Sequence, residues 1–186
     1  MEAVFFILVG GALFSQSWNL LGLLAEGRSL GILVCALALM SLIALIIDPM
    51  VIESEIHHSH WVNNNVVFKG MIILWAVYLL GSGTQNFFDL EERAVGFFSG
   101  FVSIISLVSF LYFVMRLAPE TNKYGEAVWL SLSVGTLILA INAGLSFFHQ
   151  AIPFHVIRLV SGWFLLVGGV ILGIIGILLG VGTISL

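Results

Sequence analysis

Six apolar stretches, each long enough to cross a lipid bilayer, leave almost nothing of this 186-residue chain for anything else. The hydrocarbon core of a membrane takes about 20 consecutive apolar residues per helix. The stretches run approximately from Val4 to Leu24, Leu30 to Ile47, Val67 to Ser82, Ala94 to Leu117, Ala127 to Phe148 and Val156 to Leu179. Only 9% of the residues are charged and 60% are hydrophobic, whereas a soluble domain carries roughly a quarter charged residues. A water-facing surface cannot be built from this composition, and the connections are too short for a second domain. A membrane barrel would require ten-residue segments of alternating polarity, but runs such as 31–47 are apolar on every side. The sequence therefore predicts an all-α polytopic membrane protein, residues 1–186 forming a single transmembrane domain of six helices.

The first stretch starts almost at Met1, with Glu2 and no basic leader, and reads as a retained span. Cys35 lies mid-helix and is expected to be a small packing residue without a disulfide partner. Orientation does not follow from the loops, because Arg28, Arg93 and Arg158 fall on one side and Lys69, Arg116 and Lys123 on the other. With six Lys and Arg against ten Asp and Glu, no nucleic-acid partner is expected. The expected surroundings are membrane lipid.

The chain also repeats itself. Three hairpins are visible, at approximately 1–48, 66–117 and 124–186. Arg28-Ser-Leu-Gly31, Arg93-Ala-Val-Gly96 and Arg158-Leu-Val-Ser161-Gly162 open the even-numbered helices, and the arginines are evenly spaced, since 93 − 28 and 158 − 93 both give 65. Upstream, each odd-numbered helix ends in a polar pair followed by two bulky apolar residues. The pairs are Ser15 and Asn19, Ser82 and Asn86, and Asn142 and Ser146. A spacing of four puts both members on one helix face. Three such faces about a pseudo-threefold would point hydrogen-bonding groups at a common axis, a polar path through the subunit. The competing reading is that these groups cap helices or bond helix to helix, as is common in membrane bundles. Gly10-Gly11, Gly168-Gly169, Gly173, Gly176 and Gly180 have the small-residue spacings that allow close helix packing. None follows a strand or opens a phosphate loop, so no nucleotide site is expected.

No catalytic set stands out: no acid or base lies at a helix centre, no Cys–His pair occurs and no two carboxylates are placed to share a proton. The chain does not read as an enzyme, and no cofactor or metal is expected. The notable polar segment is the loop from Asp48 to Asn65, with Glu53, Glu55, His57, His58, His60 and three consecutive asparagines. Three histidines in four positions beside acids suit either a metal site or a pH sensor. The sensor is favoured because no fourth ligand has convincing spacing, and a solvated loop with incidental histidines is the plain alternative. His149 and His155 flank Pro153, which breaks the last hairpin. Trp61, Trp129 and Tyr124 read as interfacial anchors. Trp75 and Tyr78 sit mid-helix on the side of Ser82, either as aromatic walls of the path or as core packing.

Several of these motifs resemble the amide and urea channel family (AmiS/UreI). They are Val9-Gly-Gly-Ala-Leu-Phe-Ser-Gln-Ser-Trp-Asn19, the Tyr78-Leu79 segment leading to Asn86, Arg93-x-x-Gly-Phe-Phe-Ser99-Gly-Phe-Val, and His57-His58 before the third helix. The resemblance implies a homo-hexameric ring with a urea or short-amide pore through each protomer, termini outside, and the turns at Arg28, Arg93 and Arg158 cytoplasmic. It also departs from the family. Tryptophans expected on the fifth helix are replaced here by Ser131, Ser133, Thr136 and Ile138, a glutamate on the sixth by Ser161, and the second aromatic of the third-helix motif by Leu80.

The functional expectation is a passive channel for a small neutral solute, set in a prokaryotic cytoplasmic membrane. Its pore would be lined by Ser15, Asn19, Trp75, Tyr78, Ser82, Asn86, Asn142, Ser146 and Ser161, and the loop histidines would modulate it. The alternative is an accessory subunit of a larger membrane complex, packed against other membrane subunits. A metal or haem protein using His57, His58 and His60 ranks last.

Overall fold

The computed structural model describes residues 2–23, 26–47, 59–117, 126–152 and 155–181, with side chains described at all of these except 59–65, 116–117, 126–129 and 155. They form six helices: α1 (Glu2–Leu20), α2 (Gly27–Ile47), α3 (Ser59–Phe88), α4 (Arg93–Leu117), α5 (Glu126–Gln150) and α6 (His155–Gly180). All six are long and apolar enough to span a membrane, and the described residues contain no strand.

The bounds of α1 and α3 have local reasons. The third helix is the largest departure from the sequence reading, because it begins at Ser59 and not near Val67. A helix of 30 residues is about 45 Å long, well over the ~30 Å hydrocarbon core. Its polar first turns can therefore continue the backbone ladder beyond the apolar layer, and His60 and Asn63–Asn65 are helical and not part of a loop. The ends of α1 and α3 are closed by left-handed residues, Gly22 at φ 70° and Asp89 at φ 57°. In both, the next amide reaches back five residues, Leu23 N to Trp18 O and Leu90 N to Gln85 O, each at 3.0 Å. This motif satisfies carbonyls that a helix end would leave orphaned.

The helices form a closed ring in chain order, with α6 returning to α1. Contact alternates around it. The extensive seams are α2·α3, α4·α5 and α6·α1, between successive hairpins, and the seams inside the hairpins are sparser. Glycine produces the difference. A Cβ on Gly169 would stand 2.6 Å from Gly10 O, one on Gly31 2.5 Å from Gly83 O, and one on Gly96 2.6 Å from Ala151 N. Backbone thus lies on backbone at all three tight seams. Inside the hairpins, a Cβ on Gly11 or Gly81 would meet only side chains, Leu37 at 3.7 Å and Val95 at 3.8 Å.

Burial separates two sets of helices. The spans of α1, α3 and α5 are 44, 50 and 56% buried, against 22, 28 and 33% for α2, α4 and α6, so the odd helices build the inner wall. Ile32, Met40, Phe97, Ile104, Met115, Trp163 and Ile177 are exposed on the even helices. In water so much exposed apolar surface would drive association; in a bilayer such a surface suits contact with lipid or with a neighbouring membrane protein.

Candidate functional site: the axial polar belt

The threefold repeat is written in burial. Phe5, Phe6, Val9, Gly10, Ala12, Leu13, Gln16 and Ser17 are the buried residues of α1. Sixty-six positions later come Met71, Ile72, Trp75, Ala76, Tyr78, Leu79, Ser82 and Gly83, every one buried. A further 64 positions reach Gly135, Thr136, Leu139, Ala140, Asn142, Ala143 and Ser146, again all buried, and then half-buried Phe147. The glycine contacts give the same register independently: Gly31 meets Phe87, Gly96 meets Ala151 and Gly162 meets Leu21.

This register corrects the one read from the polar pairs. The residue equivalent to Ser82 is Gln16, one position beyond Ser15, and on α5 it is Ser146, one full turn beyond Asn142. The sequence pairing matched residue types; on α5 the four-residue slip preserves the face while changing the level, whereas on α1 the one-residue slip changes the face.

At the level so defined the odd helices meet through side chains. Gln16 Nε2 donates to Ser82 Oγ at 2.9 Å, joining α1 to α3. The Tyr78 side chain is hydrogen-bonded to Ser146, joining α3 to α5. Phe6 of α1 packs into the space over Gly135 of α5. One turn toward the arginine end stand buried Gln85 and His149. His149 Nδ1 lies 3.2 Å from Leu145 O and 3.3 Å from Ser161 Oγ on α6. Trp75 stacks edge-on against Tyr78 with ring centroids 5.4 Å apart, and its Nε1 donates to Ser106 Oγ at 3.0 Å. Toward the opposite end the axis is apolar, with Phe5, Phe6 and Phe68 in mutual edge and tilted contact.

The residues expected along the path thus fall into two groups. Trp75, Tyr78, Ser82, Asn142, Ser146 and Ser161 are buried inside the ring. Ser15, Asn19 and Asn86 are half-buried, and Ser15 spends its hydroxyl on Gly11 O of its own helix at 2.8 Å. Gln16, Gln85 and His149 were missed as interior residues. The hairpin spacing of 65, applied from Ser82 to the neighbouring odd helices, would have pointed within a residue of Gln16 and Ser146. Glu53, Glu55, His57 and His58 lie outside the described residues, and His60 is described only in its backbone.

The belt carries no formal charge: among the described residues no Asp, Glu, Lys or Arg is buried. Four polar oxygens within it or near it, Gln85 Oε1, Ser133 Oγ, Asn142 Oδ1 and Gln150 Oε1, are buried without a hydrogen-bond partner among the described residues. Leu13, Trp75, Tyr78, Leu139 and Leu165 are each at most 1% exposed.

The fold is similar to that of two solved structures. The crystal structure of the urea channel from the human gastric pathogen Helicobacter pylori matches with a TM-score of 0.74 at 16% identity, over 98% of this chain and 99% of that one. The cryo-electron microscopy structure of the Helicobacter pylori urea channel in a closed state matches with a TM-score of 0.72, at the same identity and coverage. No protein-family model and no curated protein matches the sequence. The six-helix plan expected from the motif resemblance is therefore the observed one, and this chain has the fold of a urea channel.

Proposed function

We propose that this protein is a member of the amide and urea channel family and a passive channel for a small neutral solute such as urea or a short amide, with the path running along the axis of the helix ring. The observation that carries the reading is the burial of repeat-equivalent Gln16, Ser82 and Ser146, with Gln16 bonded to Ser82 and Ser146 to Tyr78, next to Trp75. A flat, uncharged, hydrogen-bonding solute needs a few hydroxyl and carboxamide partners and apolar walls, and no charge to hold it. The name of the structurally similar channels points the same way. The path would pass Trp75, Tyr78, Ser82, Asn142, Ser146 and Ser161, with Gln16 and Gln85 added, and Ser15, Asn19 and Asn86 would stand beside it. In this reading the buried pair Trp75 and Tyr78 forms an aromatic wall of the path.

The assembly in this reading is a homo-oligomer, a hexamer if it follows the family, in a prokaryotic cytoplasmic membrane. Glu53, Glu55, His57, His58 and His60 form its pH-sensing segment, because several imidazoles charging together near pH ~6.5 change local repulsion. Light-scattering of proteoliposomes in urea, acetamide and glycerol at about pH 5 and about pH 7.5 tests both parts. Uptake no faster than in protein-free vesicles at either pH rejects the channel. Uptake independent of pH, in the parent and in a His57→Ala, His58→Ala, His60→Ala variant alike, rejects the sensor.

The burial of Leu13, Trp75, Tyr78, Leu139 and Leu165 in one cluster favours one other reading, an accessory subunit whose interior is simply a packed core. Purification in mild detergent separates the two: a ring of one polypeptide supports the channel, and co-purification at fixed ratio with other subunits supports the accessory role.

A further inference from the structure

The face of α5 carrying Gly135, Asn142, Ser146 and His149, spaced at helical intervals, touches three other helices. Gly135 meets Phe6 of α1, Asn142 meets Gly168 of α6, Ser146 bonds Tyr78 of α3, and His149 contacts Ser161 of α6. Gly135 and Ser146 thus reach the inner helices α1 and α3, while Asn142 and His149, on the same side of α5, reach α6. The central residue of this face, Asn142, is 2% exposed. Its Nδ2 donates to Ile138 O at 2.9 Å, which fixes the amide, because the swapped orientation would set two carbonyl oxygens against each other. Oδ1 must therefore face away from its own backbone, and it has no partner among the described residues. Space for the amide exists because residue 168 is glycine: a Cβ there would stand 2.5 Å from Nδ2. A buried acceptor held in one orientation and left unmatched is unfavourable unless something donates to it.

Resting on the channel reading above, we infer that Asn142 is the specificity-determining residue of the path, its Oδ1 accepting an N–H of the permeating solute, so that unsubstituted neutral amides and ureas cross in preference to solutes of equal size without an N–H. Among the described residues no charged group is buried nearby to bind an ion instead.

The test uses three isomers of one composition: propionamide, N-methylacetamide and N,N-dimethylformamide, which carry two, one and no N–H. Protein-dependent permeability is measured by stopped-flow light scattering, with the rate of protein-free vesicles subtracted. For the parent protein, permeability falls in that order, by about fivefold or more between the ends, the size expected for one net hydrogen bond. Asn142→Leu keeps the volume, removes the acceptor and compresses the series to within about twofold. Gly168→Ala leaves the acceptor in the chain but displaces the amide, and compresses it likewise. Equal passage of all three isomers through the parent overturns the inference, as does an unchanged series in both variants. If neither variant folds, the parent series alone decides. Failure of every amide and of urea to cross the parent membrane at either pH overturns the channel reading itself.

Discussion

Gln16 and Ser82 lie 66 positions apart in the chain and 2.9 Å apart in space, and their bond is one of the few polar links between inner helices. In a bilayer such a bond is worth less than its isolation suggests, averaging about 0.6 kcal/mol, because the separated helices also find partners. A double-mutant cycle of Gln16→Leu and Ser82→Ala, read by thermal unfolding in detergent, should give a coupling of about 0.5–1 kcal/mol. Coupling near zero would mean that the two side chains do not meet in the folded protein. Asp89 allows a second residue-scale prediction. It holds φ 57° at the end of α3, where Gly22 does the same service for α1. Glycine adopts that conformation without a steric penalty, so Asp89→Gly should raise stability by about 0.5–1 kcal/mol, read as a higher melting temperature. Of the buried polar and aromatic residues, Asn142, Ser146, Ser82, Trp75 and Tyr78 could be picked out from residue type and helical spacing. Gln16 could not, because Ser15 beside it satisfied the same motif, and only burial distinguishes neighbours that differ by 100° around a helix.

At the scale of elements, the seam between α1 and α6 shows what close packing demands. Gly10, Gly169 and Gly176 each leave room for backbone atoms that a Cβ would meet at 2.6–2.7 Å. Gly173 lies on the same helix with nothing within 4 Å of its Cβ position. Gly169→Ala should therefore cost about 1–3 kcal/mol through overpacking, whereas Gly173→Ala should be neutral or slightly stabilising, as alanine favours the helix over glycine. Melting temperatures of the two variants in one detergent check this contrast, and equal destabilisation would contradict the seam. The helices themselves were plain in the sequence, since each span is a long apolar run. Their ends were less so: α3 was expected from Val67 and begins at Ser59, because backbone hydrogen bonding does not stop where hydrophobicity does.

For the whole molecule, alternation of tight and sparse seams divides the ring into three glycine-locked pairs, α6 with α1, α2 with α3 and α4 with α5, joined along looser lines. If the axis opens to pass a solute, motion should be concentrated at the looser lines, since packed backbones cannot slide apart without losing their contacts. A cross-link between Gly81→Cys and Val95→Cys, whose positions meet across α3·α4, made in a Cys35→Ala background, should reduce solute uptake until it is reversed. A Thr84→Cys bridge to Cys35, 3.8 Å away across the tight α2·α3 seam, should leave uptake unchanged. The opposite result would place the moving seam elsewhere. What the sequence determined alone is membrane residence and the six helices, because these depend on the number and length of apolar runs along the chain. The closing of α6 onto α1, the bond between Gln16 and Ser82, and the burial of Trp75 and Tyr78 were decided by tertiary structure. Each depends on which backbones can approach closely enough to touch, and a helix periodicity that repeats every turn gives the face of a contact without its height.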